Sequence, residues 1–215
     1  MQLTLHVALA PPILPATPRG PELVALPGAA HSVLSRMACP FLLSRWYADY
    51  ARTALQGPLL KQVWGDGDSQ QMLSVWVNIL QFLGDISLKP KQQGGTGAPE
   101  SDDNVSNLEA VRRIISIGLT RKHTRDEIVC QICKQLTNNP SKASVARGWI
   151  LLALCVSCFP PSEAVRPMLE AFIKEGPKTY RGFVAHRLQR SLARGARVNP
   201  ITAVEMEAAF TKRSM

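Results

Sequence analysis

The stretch TRDEIVCQICKQLTNNPSKASVARGWILLALCVSCF, residues 124–159, decides how this chain folds. It carries two Cys-x-x-Cys pairs, Cys130/Cys133 and Cys155/Cys158, a spacing that can serve zinc or a redox dithiol. The surroundings point away from both. Ile128, Val129, Ile132 and Leu136 flank the first pair, and Leu151, Leu152, Leu154 and Val156 flank the second. Four thiolates in such company would be charges buried without donors, whereas a free cysteine packs as a small hydrophobe. A redox pair would want the end of a strand in a βαβ unit, and no such pattern is present. The cysteines are read as core packing, with no metal ligand and no cofactor among them.

The same stretch reads as two helices. Thr124-x-x-Glu127 has the form of a capping box, in which the hydroxyl accepts from one early amide and the glutamate reaches back to another. The helix it opens is expected to stop at Asn138-Asn139-Pro140, because the residue before a proline disfavours the α region. Residues 144–159 are apolar nearly all round from Trp149 onward, so that helix is predicted to be central and covered on every side. Pro160-Pro161 breaks it.

Outward from this centre, QQMLSVWVNILQFLGD (70–85) repeats Met72, Trp76, Ile79, Leu80 and Leu83 on one stripe. Asp68 or Ser69 is its expected N-cap and Gly84 its stop. Ser106-x-x-Glu109 is a second capping-box pattern, opening a helix that buries Leu108, Val111 and Ile115 and is expected to end at Gly118. FLLSRWYADYARTAL (41–55) reads as a first helix. PMLEAFIKEG (167–176), YRGFVAHRLQRSLARG (180–195) and PITAVEMEAAF (200–210) supply the last ones. Seven or so helices and no convincing strand predict an all-α fold, a compact bundle or superhelical stack of antiparallel helices. Residues 1–38 hold Pro11, Pro12, Pro15, Pro18, Pro21 and Pro27 without sustained periodicity and read as an arm or linker. Residues 39–213 read as the helical domain, interrupted by a mobile loop at about 87–104 rich in glycine, proline and charge.

The 215 residues can build a core without a metal or disulfide staple. A composition of 46% hydrophobic and 19% charged residues is that of an ordinary globular chain. Five cysteines without a recognisable signal peptide fit a reduced intracellular protein, and the longest apolar run, WILLALCV, is too short to span a membrane. The net charge of +9 favours acidic partners. The excess is concentrated: residues 178–198 carry Lys178, Arg181, Arg187, Arg190, Arg194 and Arg197 with no acid, and Arg187, Arg190 and Arg194 fall on one side of a helix. A second cluster joins Arg121, Lys122, His123 and Arg125. The candidate partner-binding residues are therefore Arg187, Arg190, Arg194, Arg197, Arg121 and Lys122, set against the plainer reading of a solvated face.

Taken in order, Arg125-Asp126-Glu127-Ile128-x-Cys130-Gln131-x-x-Lys134-Gln135-x-x-Asn138-Asn139-Pro140 and Arg147-Gly148-Trp149-x-Leu151-Leu152-x-Leu154, followed by Cys158-Phe159-Pro160-Pro161-Ser162, resemble the signature of the myosin-tail homology 4 domain. Pro58-Leu59-Leu60 and Ile79-Leu80-x-Phe82-Leu83-Gly84-Asp85 resemble the family's opening. Arg187-Leu188-x-Arg190 and Gly195-x-Arg197-x-x-Pro200 resemble its close. The likeness spans roughly residues 40–210. Leu83 stands where the family commonly has methionine, and Pro167 falls where helix is expected.

The resemblance implies an all-helical, non-catalytic module in the tail of an unconventional myosin or a related FERM-linked protein, with any motor ATPase elsewhere in the parent chain. It implies packing with an adjacent FERM domain, docking of acidic cargo or adaptor peptides or of microtubules, and a cytoplasmic, cytoskeleton-associated setting. Within the signature, Asp126 and Glu127 suit a helix's first turn, Arg125 or Arg147 can pair with them or with a neighbouring helix end, and Gln131 and Gln135 can hold a loop. The alternative for this polar face is contact with a partner. For the whole chain, the alternative is a metal-binding or nucleic-acid-binding helical domain. Against it stand four scattered histidines (His6, His31, His123, His186), the lack of a catalytic or P-loop spacing, and the lack of aromatic platforms amid the basic residues.

Overall fold

A computed structural model describes residues 49–61, 64–65, 67–86 and 101–211, with the backbone alone for 101–106. The proline-rich arm, residues 41–48 of the expected first helix and residues 87–100 of the expected loop lie outside the described residues. These hold seven α-helices: α1 (Asp68–Leu83), α2 (Ser101–Thr120), α3 (Arg125–Leu136), α4 (Lys142–Cys158), α5 (Arg166–Glu175), α6 (Lys178–Arg194) and α7 (Ala203–Thr211), with a 3-10 turn at Lys122–Thr124 ahead of α3. The fold is all-α.

The apolar all-round helix is central, as its composition requires. Twelve of the seventeen residues of α4 are buried, and α1, α2, α3, α6 and α7 all pack on it. Cys130 and Cys133 on α3 and Cys155 and Cys158 on α4 are buried free thiols inside this core. Burial pushes the Cys133 and Cys155 thiols well above the ordinary range, so both are held neutral. Trp149 stacks on Phe172 at 5.5 Å and on Tyr180 at 6.1 Å, joining α4 to α5 and α6. Phe82 meets Phe210 at 6.1 Å and so ties α1 to α7. Each such ring pair contributes of order 0.5–1.5 kcal/mol beyond its burial.

Several local expectations give way to tertiary structure. Residues 49–55 are not helical; their backbone is held instead by contacts to α1 and α3, described below. Asp68 is the first residue of α1 and not its cap. The cap is Gly67, at φ 79°, and the Asp68 carboxylate faces Arg121 and His123. Helix α2 opens at Ser101, inside the stretch assigned to the loop, so Ser106–Glu109 lies within it. It also runs through Gly118 to Thr120. That glycine answers to close packing, because an added Cβ would lie 2.4 Å from the Phe159 ring.

The Thr124 capping box does not form. Thr124 Oγ1 donates to the Arg121 carbonyl at 2.8 Å, and Glu127 turns elsewhere. A reciprocal box stands instead at Thr202-x-x-Glu205: the Glu205 amide donates to Thr202 Oγ1 (3.2 Å) and the Thr202 amide to Glu205 Oε2 (2.9 Å). Other punctuation reads as expected. Gly84 closes α1 at φ 77°, Phe159 leaves α4 extended ahead of the two prolines, and Pro167 sits in the first turn of α5, where its missing amide costs nothing.

Candidate functional site

The polar residues of the signature helix face inward. Glu127 is fully buried, and its two oxygens accept from the Leu59 and Leu60 amides at 2.8 and 2.9 Å. Gln131 Nε2 donates to Glu127 Oε1 (2.9 Å) and to the Met72 carbonyl (3.1 Å). Burial pushes the Glu127 carboxyl above its usual range, while these three donors pull it back. One turn on, Gln135 donates to Asp85 Oδ2 at 2.7 Å and accepts from the Ala51 amide at 3.3 Å. Ser144 also donates to Asp85 Oδ2, at 2.9 Å. Lys134 is bonded to the Asp49 carbonyl and lies over the Trp76 ring at 5.8 Å. The Trp76 indole donates to the Thr53 carbonyl at 2.8 Å.

Residues 49–60 are therefore clamped onto α1 and α3 by side chains that a sequence reading could equally assign to a partner. The clamp explains why Pro58-Leu59-Leu60 and the signature helix belong together. Arg125 and Arg147 reach neighbouring helix ends: Arg125 Nε donates to the Gly118 carbonyl (2.7 Å) and Arg147 to the Phe82 carbonyl (3.3 Å).

The outward basic residues separate into two sets. Arg121 pairs with Asp68, which His123 also contacts at 2.7 Å, and Arg125 lies over Phe159 at 5.7 Å. The second predicted cluster is thus largely structural, with Lys122 left exposed.

The set on α6 stays together. Arg187, Arg190 and Arg194 line a cleft of about 360 Å³ with Arg197, Ser157, Ser191 and Glu205. Arg187 is half-buried against Phe183, its guanidinium carbon 4.4 Å from the ring centroid. Burial, then the Arg190 charge, pulls it below the usual guanidinium range. Arg197 forks onto Glu205 at 2.9 and 3.3 Å, and its backbone amide donates to the Cys158 carbonyl at 2.7 Å. Ser157 and Ser191 donate their hydroxyl protons to the carbonyls of Leu154 and Leu188. The donors left for a ligand are therefore the guanidiniums. Arg190 and Arg194 make no ion pair among the described residues. Sequence reading found the four arginines but not Glu205, which lies outside the basic run and neutralises one of them. The i, i+3, i+7 spacing was the legible signal.

Among the described residues no group of three or more His, Cys, Asp or Glu side chains is gathered as a metal site would need, and no helix is long and apolar enough to cross a membrane. On α3 Glu127, Gln131 and Gln135 turn inward, and on α6 Arg190 and Arg194 are exposed. The comparisons place the domain. Residues 111–208 match the family model of the MyTH4 domain, and the chain carries a domain of that family.

Mouse unconventional myosin-VIIb is 35% identical over 237 aligned positions, covering 89% of this chain and 11% of that protein. Drosophila myosin-VIIa is 53% identical over 108 residues, covering 50% of this chain and 5% of its own length. Among solved structures, the human myosin 7b C-terminal MyTH4-FERM domain in complex with the harmonin-a PDZ3 domain superposes with a TM-score of 0.65 at 34% identity, covering 80% of this chain and 34% of that one. The Dictyostelium discoideum myosin VII MyTH4-FERM MF1 domain reaches 0.68 at 21% identity, over 85% of this chain and 37% of that one, a likeness of fold. The chain thus spans about a tenth of the first curated relative and about a third of the solved chains. The MyTH4 domain is a non-catalytic tail domain of unconventional myosins, whose motor activity lies in the head.

Proposed function

We propose that this chain is the interaction module of a cytoskeletal motor tail, which packs with an adjacent FERM domain and docks an acidic protein surface on the arginine face of α6. A cargo or adaptor peptide and the outside of a microtubule are both surfaces of that chemistry. The working setting is cytoplasmic and cytoskeletal. The module extends upstream of the family match, because the Glu127 and Asp85 networks draw residues 49–60 into it. The observation that carries the reading is the set Arg187, Arg190 and Arg194 on one cleft where, among the described residues, the single lining carboxylate is already engaged by Arg197. Rim cations of this kind chiefly raise association rate and confer salt dependence.

The test is charge reversal of Arg187, Arg190 and Arg194 to Glu. Binding to a glutamate-rich peptide, and co-sedimentation with polymerised microtubules, should each be measured against a control chain with Lys61 and Lys142 reversed. The triple variant is expected to lose at least tenfold in affinity and most of its salt dependence, with a small change in melting temperature. Loss on one probe alone says which acidic surface is the partner. Equal loss in the control reduces the effect to net charge and sinks the reading.

A further inference from the structure

A second surface lies apart from the arginine cleft. Helices α5 and α6 are joined through Gly176-Pro177, and one face of each lines a groove of about 530 Å³. Ile173 and Leu188, both buried, and the partly buried Ala185 give it an apolar wall. Lys174 and Arg181 stand exposed on its rim. Gly182 lies in the lining, inside α6.

Gly182 has no explanation among the described residues. It is not among the glycines at positive φ. A Cβ built on it meets nothing within 4 Å, whereas one on Gly118 or Gly176 would come within 2.4 Å of the Phe159 or Trp149 ring. Glycine in a helix interior is less favourable than alanine, and no contact among the described residues requires it here. What glycine does provide is room for another backbone to approach closely.

The α6 lining positions 182, 185 and 189 advance one turn at a time, which gives the groove a length of roughly 11 Å at 1.5 Å per residue. That suits two or more turns of a helix lying along it. The rim sets the partner's charge. Among the described residues, Lys174 and Arg181 make no ion pair and Glu170 is the one carboxylate lining the groove.

We infer that the groove between α5 and α6 receives an amphipathic helix of a partner protein, its apolar face over Gly182 and its carboxylates against Lys174 and Arg181. This does not depend on the arginine-face reading, and its test leaves that face untouched.

The probe is a synthetic, lactam-constrained 16-residue helix with a leucine-alanine stripe flanked by glutamates, titrated into the full chain by fluorescence anisotropy. Two controls accompany it: the same stripe flanked by lysines, and the same composition scrambled. The glutamate-flanked helix should bind better than either control. Gly182→Leu, which fills the groove, should weaken it at least tenfold. Lys174→Glu with Arg181→Glu should reverse the preference towards the lysine-flanked helix, and reversal of Arg187, Arg190 and Arg194 should leave it in place.

Gly182→Ala should raise the melting temperature while weakening the probe, an opposition of signs that a purely structural glycine would not give. Absent binding, equal binding of either control, or unaltered affinity in Gly182→Leu overturns the proposal. So does a fall in melting temperature for Gly182→Ala. A wild-type dimer that Gly182→Leu dissociates, seen by sedimentation, assigns the groove to a second copy and overturns it as well.

Discussion

Helices α3 and α6 carry comparable densities of polar residues and use them in opposite ways. On α3 the charged and amide side chains Glu127, Gln131, Lys134 and Gln135 are all buried, and each bonds to the backbone or side chains of residues 49–85. On α6 Arg190 and Arg194 stay exposed, and among the described residues Glu205 is the one carboxylate lining their cleft, held by Arg197. A buried polar group is costly unless satisfied and so becomes a rigid fastener. An exposed cation gains little from its own chain and remains available to another. The difference separates what holds this domain together from what it can offer.

The sharpest break of that contrast is Glu127→Ala. It orphans the Leu59 and Leu60 amides inside the protein, at about 1–3 kcal/mol each, so a total loss of about 2–6 kcal/mol is expected by denaturant unfolding. Amide exchange at Leu59 and Leu60 should accelerate far more than in α5. A stability within 1 kcal/mol of the parent chain would mean that the clamp on residues 49–60 is dispensable and that the inward face is not a fastener.

Much of this contrast was legible in residue order. The stripe of α1, the all-round apolarity of α4 and the breaks at Gly84 and Pro160-Pro161 gave the helical stack. The one-sided arginines of α6 gave the candidate face. What was not legible was the destination of individual polar atoms. Thr124-x-x-Glu127 and Thr202-x-x-Glu205 are the same local pattern, yet only the second caps its helix. The first glutamate is claimed by amides 67 and 68 residues away, and no local rule sees such a pairing. Gly118 likewise reads as a stop until the Phe159 ring is placed beside it. Arg121 reads as part of a docking cluster until Asp68 is seen to hold it. Residues 41–55 read as a helix by their apolar stripe, but over 49–55 tertiary hydrogen bonds outweigh propensity.

Asp68 is the intermediate case, a buried carboxylate answered by surface cations. His123 donating to it, with Arg121 adding hydrogen bonding and charge, holds its carboxyl below the usual range against a burial effect of opposite sign. A lowered carboxyl stabilises the fold above the unfolded-state value of about 3.9 and loses that contribution as pH falls through the folded value. Asp68→Asn should therefore be less stable than the parent at pH 5 to 7, with the gap closing below about pH 4. Circular dichroism melts across that range decide it: curves that stay parallel down to the acid end would remove Asp68 from the ledger.

The smallest expected effect has the opposite sign to the largest. Arg187 and Arg190 lie three residues apart on α6, and Arg190 and Arg194 lie four apart; like charges at that spacing cost a helix a few tenths of a kcal/mol. Arg190→Ala should then raise stability by about 0.2–0.5 kcal/mol at low ionic strength, and the gain should vanish near 1 M salt, where the screening length drops to about 3 Å. A destabilisation above 1 kcal/mol would show that Arg190 fastens the fold as Glu127 does. The arginine face would then be structural, held for the domain's own sake, and the docking surface would have to be sought in the α5–α6 groove instead.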